Sequence, residues 1–73
     1  MIKYTPFWET LEKSKESTYT LIYKHNISST TIGRIRRNEG ITTLTVNYLC
    51  RILHCRVEDI LVYEDDNNIM LTK

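Results

Sequence analysis

The chain has 73 residues and a formal net charge of +1, a length that is enough for one domain and too short for two. It has one proline and two glycines, which argues against an all-β fold with its many tight turns. No apolar run approaches the roughly 18 residues of a membrane-spanning helix, and no signal peptide is recognisable at the N-terminus. We expect a small helical domain that acts through its surface, because an enzyme cleft would consume much of so small a core.

The charged residues are unevenly distributed along the chain. Residues 1–56 hold nine Lys or Arg against four acidic residues, whereas residues 57–73 hold one Lys against five acidic residues. This division predicts a cationic working surface and an acidic C-terminal tail that stays away from it. An ordinary mixed surface would contain the same charges, so the charge pattern does not decide the function by itself.

Local signals predict the first two helices. Thr5 is a favourable N-cap and Pro6 fits the first helical position. Ser17 or Thr18 caps a second helix, which runs to about Lys24. The core face of the first helix is expected to hold three apolar side chains: Phe7, Trp8 and Leu11.

A tight turn and a third helix follow. Asn26 is suited to a left-handed turn, because its short amide bonds to the local backbone. Ser28 is the expected cap of the third helix, and Ile27 and Ile32 have the spacing of a hydrophobic staple across that cap. Residues 38–40 end the helix.

Two further helices are predicted. Thr42 caps the fourth, whose buried stripe has spacing i, i+3, i+4 and i+7 and consists of Val46, Leu49, Cys50 and Leu53. A short fifth helix, from about Val57 to Val62, is expected to bury Val57, Ile60 and Leu61. Polar residues 65–68 then break the structure before a last apolar patch, Ile69, Met70 and Leu71.

The third helix has two chemically different sides. At 100° per residue, Ile32 and Ile35 fall on one side and are expected to pack inward. The opposite arc carries small, hydroxylic or cationic residues: Ser29, Thr30, Gly33, Arg34 and Arg37. Such an arc suits close approach to nucleic acid, because Arg forms a paired hydrogen bond to guanine and hydroxyls reach bases or phosphates. A solvated charged face is the simpler reading of the arginines taken alone.

The segment STYTLIYKHNISSTTIGRIRRNEG resembles the helix-turn-helix of the Cro/C1-type repressors, the XRE family. The resemblance extends over residues 3–62, through YTPFWETL at the start and TLTVNYLCRILHCRVEDIL near the end. It implies an all-α, compact, five-helix domain of the lambda-repressor type over 3–62, with residues 63–73 as a short acidic tail. It also implies a sequence-specific regulator of transcription that binds double-stranded DNA. The low cysteine content separately predicts a cytoplasmic location.

The resemblance assigns roles to individual positions. The recognition helix would span Ser29–Asn38 and lie in the major groove. Base contacts are implied for Ser29, Thr30 and Arg34. Contacts to the DNA backbone are implied for Thr18, Thr31, Arg37, Asn38 and Thr43.

Four residues depart from the family pattern. Ile22 stands where Ala is usual, and we expect it to push the second and third helices apart and change the docking angle. His25 replaces an aliphatic residue and Asn26 replaces Gly. Arg56 occupies a cap position that usually holds Ser or Asp.

Other kinds of site are weakly indicated. His25, Cys50, His54 and Cys55 lack the paired spacing of a zinc site, and two cysteines are too few for a disulfide-rich secreted domain. No nucleophile–base pair or glycine-rich phosphate loop is present. We therefore predict no enzyme, no metal, no cofactor and no small-molecule ligand. Tyr48 and Tyr63 have no predicted role and would suit a protein interface.

Dimerisation follows from the geometry of DNA recognition. One short helix reads only a few base pairs, so we expect a homodimer whose second copy reads a half-site one helical turn away, about 34 Å. The fifth helix and the patch at 69–71 are the candidate dimer surfaces. The rival interpretation is an antitoxin-like module that uses the same fold mainly to bind another protein.

Overall fold

The computed structural model describes residues 1–65, and the predicted apolar patch at 69–71 lies outside them. Within the described residues the chain forms four α-helices, a 3₁₀ turn and two short strands. In chain order these are β1 (Ile2–Lys3), α1 (Thr5–Lys13), α2 (Thr18–Tyr23), α3 (Ser29–Arg36), α4 (Thr43–Leu53), the 3₁₀ turn (Val57–Asp59) and β2 (Val62–Tyr63). None of the helices in this part of the chain is long and apolar enough to cross a membrane.

The helical fold class is confirmed, but the number of five helices is wrong. The segment predicted as a fifth helix is a single 3₁₀ turn, in which Val57 is 52% exposed while Ile60 is fully buried. Arg56 has no side-chain acceptor for the turn, and the cap comes instead from Asp59, whose carboxylate accepts the Arg56 N–H at 3.1 Å. The chain then leaves the turn as β2.

The two strands were not predicted. β1 and β2 pair antiparallel, with Ile2 opposite Tyr63 and Lys3 opposite Val62. In a longer fifth helix, the backbone groups of Val62 would have bonded within the helix. In the structure, they bond to β1 instead. It also ties the described start of the chain to the segment that follows the 3₁₀ turn.

The first helix begins one residue earlier than predicted. Tyr4, not Thr5, is the N-cap, and its carbonyl accepts the Phe7 N–H at 3.0 Å. Tyr4 is only 3% exposed, its N–H donates to the Asn38 amide oxygen at 3.1 Å, and its hydroxyl donates to the Glu39 carbonyl at 2.8 Å. The start of α1 is therefore fixed by contact with the end of α3, not by a local cap.

The other three helix caps are confirmed. In each, a Ser or Thr hydroxyl accepts a backbone N–H three residues later, at 3.0–3.2 Å. The residue three positions on is in each case Thr, whose own hydroxyl lies near the cap. The pairs are Ser17 with Thr20, Ser28 with Thr31, and Thr42 with Thr45.

The core is built from all four helices and the residue after the 3₁₀ turn. The largest fully buried side chains are Phe7, Leu21, Ile35, Leu49 and Ile60. Ile27 and Ile32, the predicted staple, are both buried. Trp8, expected on the core face, is only half-buried. Its ring packs edge-on to Phe7, and the ring centre lies 5.0 Å from the Arg36 guanidinium carbon.

Among residues 1–65, three non-glycine residues adopt left-handed backbone, each shortly after a helix: Asn26 with φ 63°, Asn38 with φ 58° and His54 with φ 54°. The prediction for Asn26 is confirmed. For Asn38 the conformation is compensated by the bond to Tyr4. His54 ends α4, where the Cys55 N–H donates to the Cys50 carbonyl at 3.0 Å, as in a Schellman motif.

Replacing His54 with glycine is expected to raise the free energy of unfolding by about 0.5–1 kcal/mol, because glycine adopts left-handed backbone without a steric cost. Urea unfolding followed by circular dichroism measures the change. Asn38→Gly is the matched comparison, since it relieves the same backbone conformation but removes the acceptor of the Tyr4 N–H. Equal stabilisation by the two substitutions would contradict this account of Asn38.

Candidate nucleic-acid interface

A tight turn sets the angle between α2 and α3. The His25 N–H donates to the Thr20 carbonyl at 3.1 Å and the Ile27 N–H donates to the Leu21 carbonyl at 2.9 Å, with Asn26 in left-handed backbone between them. Ile27 is buried at the end of the turn. Two short helices joined in this way form a helix-turn-helix, in which the second helix is exposed along its length.

His25 is accommodated by a polar contact that the sequence did not reveal. Its ring nitrogen Nε2 lies 3.2 Å from the Glu16 carboxylate, and both side chains are largely covered. A hydrogen bond from the Thr20 hydroxyl, at 2.7 Å, lowers the pKa of Glu16, and His25 adds to that effect. His25, at a position that is usually aliphatic, thus connects the turn to Glu16 in the segment between α1 and α2.

The two sides of α3 differ as predicted. Ile32 and Ile35 are 4% and 0% exposed and face the core. Ser29, Thr30 and Arg34 are exposed. The helix ends at Arg36, so the last two residues of the predicted span Ser29–Asn38 belong to the cap of α3. Of the ten positions predicted to be helical, eight are helical. The exposed Thr30 and Arg34 still lie on the side opposite Ile32 and Ile35.

An open groove of about 470 Å³ lies between the beginnings of α3 and α4. Thr30, Thr31 and Arg34 contribute to it from α3, and Thr42 and Thr45 contribute from the start of α4. Hydroxyls and one guanidinium therefore line one surface beside the starts of two helices. Backbone N–H groups at a helix start carry a partial positive charge, which favours phosphate.

The α4 side of this groove was largely missed from the sequence. Thr43 was predicted and is the exposed first residue of α4. Thr42 and Thr45 were seen only as capping and helical residues, yet both line the groove. The signal was the hydroxyl-rich run ITTLT, which places three threonines within one turn of the helix start.

The remaining predicted backbone contacts lie in different surroundings. Thr18 is the half-buried first residue of α2, and the Thr31 hydroxyl lies 2.9 Å from the Ser28 hydroxyl. Asn38 is half-buried, and its amide oxygen accepts the Tyr4 N–H. The structure thus brings Thr31 to the groove with two of the base-reading candidates, Thr30 and Arg34. Its lining does not include the candidates Ser29, Thr18, Thr43 and Asn38.

Arg37 is held by an ion pair that the sequence did not predict. Its Nε donates to Glu39 Oε2 at 3.0 Å and a terminal nitrogen donates to Oε1 at 3.3 Å. Hydrogen bonding from Arg37 lowers the pKa of Glu39, and hydrogen bonding to Glu39 raises the pKa of Arg37. Both groups stay charged at neutral pH and form a bidentate pair on the surface.

The metal alternative finds no support in the described part of the chain. Over residues 1–65, no three His, Cys, Asp or Glu side chains are grouped so that they could hold a metal ion. Cys50 and Cys55 are neighbours with free thiols, and burial together with the nearby Cys50 raises the pKa of Cys55 to about 11. A thiol with so high a pKa is a poor nucleophile at neutral pH.

The fold and this surface define a helix-turn-helix protein. A family model for the Cro/C1-type HTH DNA-binding domain matches residues 7–66, most of the chain. The chain therefore belongs to the Cro/C1-type HTH DNA-binding domain family, as the sequence resemblance indicated. Searches of curated proteins and of solved structures found no match.

Proposed function

We propose that this protein is a sequence-specific regulator of transcription that places α3 in the major groove of double-stranded DNA. The observation that carries the proposal is the two-sided α3, with Ile32 and Ile35 buried and Arg34 exposed beside the groove that α3 and α4 share. An exposed helix of this width fits the major groove, which is about 12 Å wide. The regulator is a repressor or an activator: repression would require only that the bound protein occlude a promoter, whereas activation would require a surface patch for polymerase.

Within this proposal, exposed side chains of α3 read bases, and residues at or next to the ends of the helices contact the DNA backbone. The base contacts are Ser29, Thr30 and Arg34. The contacts to the DNA backbone are Thr18, Thr31, Thr43 and Asn38, whose amide N–H₂ group is the donor because its oxygen is taken by Tyr4. Arg37, expected from the sequence to contact the DNA backbone, differs from these residues because its guanidinium already has a partner in Glu39.

A homodimer remains part of the proposal. Its candidate surface is the segment that follows α4, which was predicted as the fifth helix. This surface is supported by three exposed apolar side chains, Val57, Val62 and Tyr63. Tyr48 on α4 is also exposed, at 43%. Cytoplasmic location and the absence of enzymatic activity stay predictions from the sequence.

The antitoxin-like alternative is separated from DNA binding by a salt titration. Affinity for a random duplex should fall with rising salt, with a log–log slope of about −0.9 for each phosphate that Lys or Arg neutralises. Fluorescence anisotropy of a labelled duplex at several KCl concentrations measures this slope. Circular dichroism at each concentration confirms that the protein stays folded.

The opposite result would favour the rival function. Binding that is absent at low salt, or that does not change between low and high salt, would mean that phosphate contacts do not contribute. The exposed arc of α3 would then be a surface for another protein.

A further inference from the structure

The position of Glu39 is fixed by the backbone that ends α3. Asn38 is left-handed, its N–H donates to the Ile35 carbonyl at 3.2 Å, and the Glu39 N–H donates to the Arg34 carbonyl at 2.8 Å. These bonds form a Schellman motif. The Tyr4 hydroxyl holds the Glu39 carbonyl from the other side, at 2.8 Å. Because the backbone of Glu39 is anchored on both sides, its carboxylate is held beside the end of α3, where it contacts Arg37.

The Arg37 guanidinium lies back along the outer side of α3. A Cβ added at Gly33 would meet an Arg37 terminal nitrogen at 3.3 Å, so the guanidinium sits directly over the residue in the middle of the exposed arc. An arginine has five N–H donors, and two of them bond to Glu39. The edge formed by the two terminal nitrogens still has N–H donors that can hydrogen-bond to another planar acceptor.

The charge of this pair argues against a simple phosphate contact. Glu39 neutralises Arg37, so the pair as a whole releases few counterions from DNA. The pair is also a weak source of stability, because both side chains are more than half exposed. The effect of the ion pair is instead to orient Arg37. Its guanidinium is held in one orientation and therefore loses little conformational entropy when it binds a paired acceptor.

We propose that Glu39 is a positioning residue that holds the Arg37 guanidinium over Gly33, so that Arg37 reads a guanine edge in the major groove. This inference rests on the proposed DNA-binding function and changes the role of Arg37 from backbone contact to base reading. Guanine O6 and N7 accept two N–H groups from one guanidinium edge. In this role Glu39 acts through its hydrogen bonds to Arg37, and the charge of Arg34 also helps to lower the pKa of its carboxylate.

The test is a selection of DNA sites from a random duplex library, carried out with the full chain and with Arg37→Ala, Arg37→Lys and Glu39→Gln. The unchanged chain should select a motif. Each of the three variants should lose the guanine preference at the same single position and keep the rest of the motif. Arg37→Lys retains the charge but loses the paired donors, so it separates direction from charge.

Binding measurements give the size of the effect. Arg37→Ala should reduce affinity for the selected site by roughly 5- to 150-fold, the range for one paired base contact, with a smaller reduction for Glu39→Gln. Affinity of Glu39→Gln for random DNA should not fall, because the substitution removes a negative charge. Glu12→Gln is the charge control, because Glu12 is exposed on α1 and does not line the groove; it should leave the motif unchanged.

Two results would overturn this inference while leaving the proposed function intact. If Glu39→Gln kept the full motif and bound every sequence more tightly, Glu39 would only compete with phosphate for Arg37. If Arg37→Ala kept the full motif, Arg37 would not read bases. If the unchanged protein selected no motif and bound DNA without salt dependence, both the proposed function and this inference would be overturned. Thermal melts of the variants exclude loss of folding as the cause.

Discussion

Replacing Arg34 with alanine should reduce affinity for the selected DNA site by roughly 5- to 150-fold, which corresponds to about 1–3 kcal/mol for one paired contact to a base. Arg34 is exposed on α3 and lines the groove shared with α4. No ion pair within residues 1–65 holds its guanidinium in the way that Glu39 holds Arg37. Arg34 is therefore available to both of the acceptors that guanine presents.

The loss should be confined to one base pair. Anisotropy titrations against the selected duplex, and against duplexes with each base pair changed in turn, would locate it. Where the duplex already carries the wrong base pair, Arg34→Ala should cost little more, because the paired contact is absent in both proteins. This coupling between residue and base is what distinguishes base reading from attraction to the backbone.

Arg51→Ala is the control for charge. Arg51 is exposed in the last turn of α4 and does not line the groove. Its removal takes away the same positive charge as the removal of Arg34. If the two variants lost affinity equally, and at no particular base pair, Arg34 would contribute only to the general attraction for phosphate.

The face of α3 could be predicted because its signals are local. The hydroxyl of Ser28 accepts the N–H of Thr31 at 3.0 Å, as the capping pattern required. Ile27, Ile32 and Ile35 recur at helical spacing and are all buried. A helix start and a buried stripe fix the rotation of a helix, and so the sequence determined which side chains face outward.

The chain ends could not be predicted in the same way, because distant residues determine them. The start of α1 depends on a bond from Tyr4 to Asn38, 34 positions away. The strand pairing of Ile2 with Tyr63 joins the two ends of the domain. Val57 has the spacing of a buried residue but is exposed, since the chain turns after three residues and only Ile60 reaches the core.

The site shows the same division between local and distant causes. The hydroxyl and guanidinium side chains of α3 were identified because helical spacing places them together. The groove needs α4 beside α3, which no single-helix pattern describes. The pairing of Arg37 with Glu39 depends on the left-handed Asn38, which turns the chain back toward the helix it has just left.

Replacing Ile35 with alanine should reduce the free energy of unfolding by about 2–5 kcal/mol, the range for truncating a fully buried isoleucine. Ile35 is 0% exposed and lies on the inner side of α3, opposite the candidate DNA contacts. A domain of 73 residues is expected to have a total stability of only about 4–11 kcal/mol. The substitution should therefore remove a large share of the total stability and lower the midpoint of unfolding clearly.

Urea unfolding followed by circular dichroism measures this loss, with Val57→Ala as the control. Val57 is 52% exposed, and its truncation should change stability by less than about 0.5 kcal/mol. Ile35→Ala should also weaken DNA binding, but with the whole selected motif retained by the molecules that remain folded, because its contacts are internal. A loss for Ile35→Ala no larger than that for Val57→Ala would mean that Ile35 does not anchor α3, and the outward direction of Arg34 would then need another cause.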